Sequence, residues 1–245
     1  MPVIISGSSK HFFNVLRIIL LLFIISCEKD EEKPTEVEST VTFIYNGNEV
    51  TYGTIEYAGR FWMDRNLGAS QVATLYNDSA SFGDYFQWGR EVDGHQLKNS
   101  NTNNTIALSQ QQPGHANFIT SIDYNDWNID NNWTTRWINN KGQKTSADPC
   151  PNGWRVPTKS EWQSAINEEN WNNYMDAFNS PLKLPASNYR SAQDGGFPDL
   201  YSFGMYWSSD YLASYGLELF LSDENANVNF TWRSQGVCIR CILDN

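Results

Sequence analysis

Gly153-Trp154-Arg155-Val156-Pro157-Thr158-Lys159-Ser160-Glu161-Trp162 is the stretch on which the architecture turns. Thr158 and Glu161 stand at the spacing of a capping box, in which hydroxyl and carboxylate each accept the other residue's backbone N–H. Pro157 precedes them, and Trp162, Ala165 and Ile166 follow at helical spacing. A helix is therefore predicted from Lys159, with a second short one over 172–178, ahead of Pro181. On either side the pattern changes to β-type. Upstream, Val41, Phe43 and Tyr45 alternate along an extended segment, Asn46-Gly47-Asn48 supplies the positive-φ residues of a tight turn, and 49–57 resumes the strand pattern. Ala58-Gly59-Arg60 turns the chain again into 61–67. Downstream, β-type runs cover 183–189, 205–209, 216–222, 227–233 and 236–242. Strands, then helices, then strands again predict an α+β domain.

Between the two β regions lies a long stretch, 94–147, rich in Asn, Gln, Ser and Thr, in which Trp127, Trp133 and Trp137 are set in polar sequence. A loop of this length in a compact domain is held by something, and the three rings are expected to pin it. The chain carries 10 Trp and 14% aromatic residues, which rules out a disordered domain.

The first residues read as targeting. Two basic residues, Lys10 and Arg17, precede the apolar run 18–25, which ends at Ser26-Cys27. Eight residues span about 12 Å as a helix, short of the roughly 30 Å of a bilayer core, so 1–26 reads as a signal peptide. Ile24-Ile25-Ser26-Cys27 resembles the bacterial lipobox, which implies diacylglycerol on Cys27. Residues 27–40 are highly charged, with little to bury, and are expected to be a tether. Within it, Glu28-Lys29-Asp30-Glu31-Glu32 reads either as an acidic signal for export to the outer face of the outer membrane or as a solvated linker. The domain then runs over 41–245 and meets its partner near a membrane surface. Loss of Lys10 and Arg17 with the leader takes the formal net charge from -11 to -13, which repels phosphate backbones and excludes nucleic acid as a partner.

The domain also resembles a known family. Val50-Thr51-Tyr52-Gly53-Thr54, Trp62-Met63-Asp64-Arg65-Asn66-Leu67-Gly68-Ala69, Tyr85-Phe86-Gln87-Trp88-Gly89-Arg90, 148–158, Tyr206-Trp207-Ser208-Ser209 and Arg240-Cys241 resemble, in order, the signatures of the Fibrobacter succinogenes major paralogous domain. That family is similar in fold to C-type lectins and to formylglycine-generating enzymes, whose helix starts from a segment like 153–162. The resemblance implies a C-type-lectin-like fold with short twisted antiparallel sheets, one to two helices and long loops. It also implies a disulfide between Cys150 and Cys241, because the family carries cysteines at these two places and usually a serine at the place of Cys238.

Cys238-Ile239-Arg240-Cys241 has redox spacing, but such pairs sit at helix N-termini, and this one is in a predicted strand. Of the formylglycine-generating enzymes only the scaffold segment is matched, so an oxidase of that type is a remote alternative. Asp126, Asn128 and Asp130 fit the first ligand positions of a calcium loop, although Asn131 and Trp137 replace its glycine and its bidentate glutamate. No zinc cluster, nucleophile elbow or phosphate loop is evident, and no cofactor is called for. Asp64, Arg65 and Arg155 are expected to form a polar network under the sheet. The late strands and their loops form the recognition face in domains of the implied fold. Here the outward positions are predicted to be Tyr211, Tyr215, Glu218, Phe220, Asn225, Asn227, Asn229 and Arg233, with Asp210 and Asp223 beside them, a Tyr/Asn mixture suited to adaptable binding. The expected function is a non-catalytic binding or adhesion module for a glycan or protein. It would be lipid-anchored in the outer membrane, facing the cell surface or the periplasm. The alternative is a structural or assembly lipoprotein of the outer membrane without a small-molecule ligand.

Overall fold

In the computed structural model the described residues are 38–108, 113–121, 125–130, 136–198 and 203–244. All belong to one compact unit, Val37–Asn245. The expected signal peptide, the lipidated Cys27 and Trp133 lie outside the described residues.

Two tight turns start the fold. Strand β1 (Thr40–Tyr45) and β2 (Asn48–Tyr57) pair antiparallel with Tyr45 opposite Asn48, which leaves a two-residue loop, Asn46-Gly47, at φ 48° and 77°. Positive φ at both positions matches the right-handed twist of the flanking strands. Ala58 and Gly59 repeat the device at φ 51° and 69° and lead into β3 (Arg60–Met63). The predicted tether is shorter than 27–40, because Thr40 is already in β1 and the Thr54 N–H donates to Ser39 O at 3.0 Å.

Short strands follow: β4 (Phe86–Gln87), β5 (Thr102–Asn103), β6 (Phe118–Ile119) and β7 (Trp154–Arg155). The helices come next, α1 (Lys159–Glu169) and α2 (Tyr174–Asn179), the only two among the described residues. Then come β8 (Gly204–Leu212), β9 (Tyr215–Leu221), β10 (Ala226–Trp232), β11 (Gly236–Val237) and β12 (Ile242–Leu243). A five-stranded sheet runs β1-β2-β3-β12-β7, and a three-stranded one runs β10-β9-β8. Every pairing in these two sheets is antiparallel. The architecture is α+β and strand-rich, as predicted.

The capping box forms as read. The Thr158 hydroxyl accepts from the Glu161 N–H, and the Glu161 carboxylate accepts from the Thr158 N–H at 2.8 Å. Arg155 forks onto both oxygens of Glu161 at 2.8 and 2.7 Å. Burial pushes the Glu161 carboxyl up, but the Arg155 fork and the Thr158 N–H outweigh it and hold it below the ordinary range. Arg155 therefore serves the helix start and Asp244, while Asp64 and Arg65 pair with each other at 2.8 Å. The single network expected for these three residues is two separate ones.

Two predicted strands are corrected. Residues 183–189 form no strand, because Lys183 and Asn188 adopt φ of 48° and 61° and break the extended run. Residues 236–242 are not one strand but a thread that pairs with a different segment at nearly every step. Gly236 bridges Arg190, Val237 faces Phe86, Cys238 O accepts from Trp207, Ile239 O from Leu67 and Cys241 O from Met63, and Ile242 lies between Trp62 and Arg155.

The thread divides the core in two. Val237, Ile239 and Cys241 pack with Phe86, Trp88, Trp137, Trp154 and Trp207, whereas Cys238 and Ile242 pack with Trp62, Trp162, Tyr206, Leu219 and Leu221 on the side that receives α1. Cys241 is disulfide-bonded to Cys150, the pairing implied by the resemblance. Cys238 is left as a free thiol within the core.

Large rings fill both halves, and six buried indoles are satisfied by backbone carbonyls. The buried indoles of Trp62, Trp88, Trp127, Trp137, Trp162 and Trp207 donate respectively to the carbonyls of Tyr57, Ser208, Trp88, Arg90, Trp207 and Phe86. Each ring thus buries apolar area and also fixes a loop in direction. Trp127 and Trp137 pin the polar 94–147 region in this way. Gly89 admits Arg136 against the same cluster, since a Cβ there would overlap the Arg136 side chain.

Candidate functional site

The predicted face lies on the β8-β9-β10 sheet, and the structure separates its residues into three groups. Asn225, Asn227 and Asn229 are exposed. Tyr211, Tyr215 and Phe220 are half-buried, with rings packed on Trp88, Phe230 and Phe203 at centroid distances of 6.0, 5.2 and 6.2 Å. Glu218 and Arg233 are buried, at 2% and 0% exposure, and are not outward positions. Alternation along a strand says which side a residue takes but not whether that side is covered. Here both sides are covered over much of β9.

Arg233 has a structural task. Its guanidinium lies 4.8 Å from the Trp88 ring and 5.5 Å from that of Tyr211. It donates to Asp126 at 3.3 Å and to Ala213 O at 2.5 Å, which ties the β8–β9 hairpin to the loop of Asp126. Burial lowers its pKa to about 10. Arg136 donates to the other Asp126 oxygen at 2.8 Å and lies over the Trp88 and Trp127 rings. The weak calcium candidate at Asp126, Asn128 and Asp130 is taken up by other contacts. Asp126 is matched by two guanidinium groups, and Asn128 Oδ1 accepts the Asp130 N–H at 2.6 Å in a local turn. Among the described residues no group of three His, Cys, Asp or Glu could hold a metal ion.

The remaining histidine and cysteine chemistry is also structural. His95 Nε2 accepts the Gln87 N–H at 3.1 Å, and Nδ1 meets Asp93 at 2.7 Å. Burial, reinforced by Arg90, lowers its pKa to about 4, so the ring is neutral at pH 7. Cys238 Sγ donates to Phe82 O at 3.1 Å, and burial pushes its thiol up to about 12. A protonated thiol with Cys241 bonded elsewhere has no redox partner.

A recess beside the predicted face escaped sequence reading. Tyr189, Ser191, Gln193, Thr231, Trp232 and Gln235 line a cleft of about 240 Å³. Its two halves lie some forty residues apart in sequence and are joined by the Arg190–Gly236 bridge and by the Ala192 N–H, which donates to Gln235 Oε1 at 2.7 Å. That bond orients the Gln235 amide and leaves its NH2 without a protein acceptor among the described residues. The Tyr189 and Thr231 hydroxyls, the Gln193 amide and the Trp232 indole N–H likewise have no protein partner there. No lining residue is charged. The only signal in the sequence was Trp232 at the end of an alternating strand.

Comparison with protein-family models, with curated proteins and with solved structures returned no match.

Proposed function

We infer that this chain is a lipid-anchored surface protein whose domain, of C-type-lectin-like fold, is a non-catalytic binding module, and that the Tyr189–Trp232 cleft is where its ligand sits. The observation that carries the reading is the chemistry of the cleft. Two half-buried aromatic rings stand beside two amides and two hydroxyls, with several donors and acceptors left unpaired and no charge present. Such a surface suits a neutral polyhydroxylated ligand, whose ring C–H faces stack on aromatics and whose hydroxyls both give and accept hydrogen bonds. Of the two ligand classes expected from the sequence, a glycan is therefore favoured over a protein. The exposed Asn225, Asn227 and Asn229 extend the contact beyond the cleft with adaptable amides.

A glycan array probed with the purified protein tests this. Binding to neutral glycans that falls at least tenfold in Trp232→Ala and in Tyr189→Ala supports it. Absence of binding to any glycan supports the structural or assembly alternative instead. The anchor is tested separately: labelled palmitate should enter the wild-type chain in cells and not Cys27→Ser.

A further inference from the structure

A second cavity, sharing no lining residue with the cleft, has a different chemistry. Phe82, Tyr85, Phe197 and Pro198 form its apolar walls, and Ser79, Lys98, Ser187 and Asn188 complete the lining. Burial gives it a depth and a mouth. Phe82, Tyr85, Ser187 and Asn188 are buried, whereas Ser79 and Lys98 are exposed and Phe197 is 42% exposed.

Three observations point to a ligand. First, the Lys98 ammonium is the only charge in the lining and has no carboxylate within ion-pair distance among the described residues. It donates to Ser79 O at 2.9 Å and lies 5.4 and 5.9 Å from the Phe82 and Tyr85 ring centroids, with N–H groups left for a ligand. Asp84, which feels this charge, is bonded to the Tyr45 hydroxyl at 2.7 Å and does not line the cavity. Second, Ser187 is wholly buried, and its Oγ, beside the Cys238 thiol and the Tyr206 hydroxyl, makes no hydrogen bond of full geometry among the described residues. An orphaned hydroxyl at that depth costs stability unless something bonds it. Third, the volume is about 170 Å³. An apolar protein cavity of roughly 150 Å³ accommodates benzene, so this one has room for a six-membered ring.

We propose that this cavity binds a monocyclic aromatic carboxylate with a polar group para to the acid. The ring lies against Phe82 and beside the Tyr85–Phe197 pair, whose 4.9 Å edge-to-face contact lines the entrance. The carboxylate meets Lys98 at the mouth, and the para substituent reaches Ser187 Oγ at the bottom. An extended or doubly charged ligand is disfavoured, because the depth carries no second cation.

Calorimetric titration of the full-length protein with 4-hydroxybenzoate, benzoate and benzamide tests the proposal. Both acids should bind at one site, 4-hydroxybenzoate more tightly, and uncharged benzamide about tenfold more weakly than benzoate. Lys98→Met should abolish the preference for benzoate over benzamide. Phe197→Ala should weaken both. Ser187→Ala should remove the advantage of the 4-hydroxyl while leaving benzoate unchanged. Lys98 and Phe197 are exposed at the rim, so their variants keep the core intact, and near-ultraviolet circular dichroism checks that they do. No saturable binding of either acid, or binding that Lys98→Met and Phe197→Ala leave undiminished, overturns the proposal. Neither result bears on the glycan cleft, which is read out through Trp232.

Discussion

Glu218 stands opposite Trp207 and Asn229 in the middle of β9, 2% exposed, with Oε2 unbonded. Burial alone drives its carboxyl well above the ordinary value of 4.5. The acid is therefore protonated in the folded state at a pH where the unfolded chain has already ionised. Its contribution is fully present below pH 4.5 and is lost as pH rises through the folded value. Replacement by a residue of similar length without the acid should help, and Glu218→Met is expected to stabilise the protein by about 1–3 kcal/mol at pH 7. The gain should shrink at pH 4, as urea denaturation at the two pH values would show. In the sequence, Glu218 and Arg233 were placed outward by alternation along their strands. What holds Arg233 is tertiary: its guanidinium meets Trp88, Tyr211 and Asp126, all distant in sequence.

Elements whose cues are local were legible, and those whose cues are distant were not. Asn46-Gly47 and Ala58-Gly59 set two hairpins within a few residues, and Thr158 with Glu161 set the start of α1. Residues 183–189 had strand composition, but positive φ at Lys183 and Asn188 interrupts the run and leaves a single bridge, Asn188 to Gly204. The cleft was hidden for a related reason. Its residues come from 189–193 and 231–235, and only the Arg190–Gly236 bridge brings them together. The capping box gives this scale its test. Thr158→Ala should cost about 1 kcal/mol in chemical denaturation. Thr158→Ser, which retains the hydroxyl, should cost much less.

At the scale of the whole molecule the Cys150–Cys241 bond and the 236–242 thread act together. The bond closes a loop of sequence separation 91, for which the chain-entropy model gives on the order of 4 kcal/mol. Reduction should lower the melting temperature by roughly 10 °C for a domain of this size. A calorimetric scan with and without reductant would measure it, and Cys238, buried and unpaired, should not compensate by re-pairing while the fold holds.

The thread also has a consequence in time. Residues 236–242 are made after every element they join, and neither half of the core is closed until they arrive. A ribosome that has completed β10 has produced most of the aromatic residues but no finished interior for them. Folding of this domain therefore waits for residues 236–242 to leave the ribosome. A chain cut short just before Gly236 would lose the backbone partners of Phe86, Trp207, Leu67, Met63 and Trp62 at once, not merely a fringe.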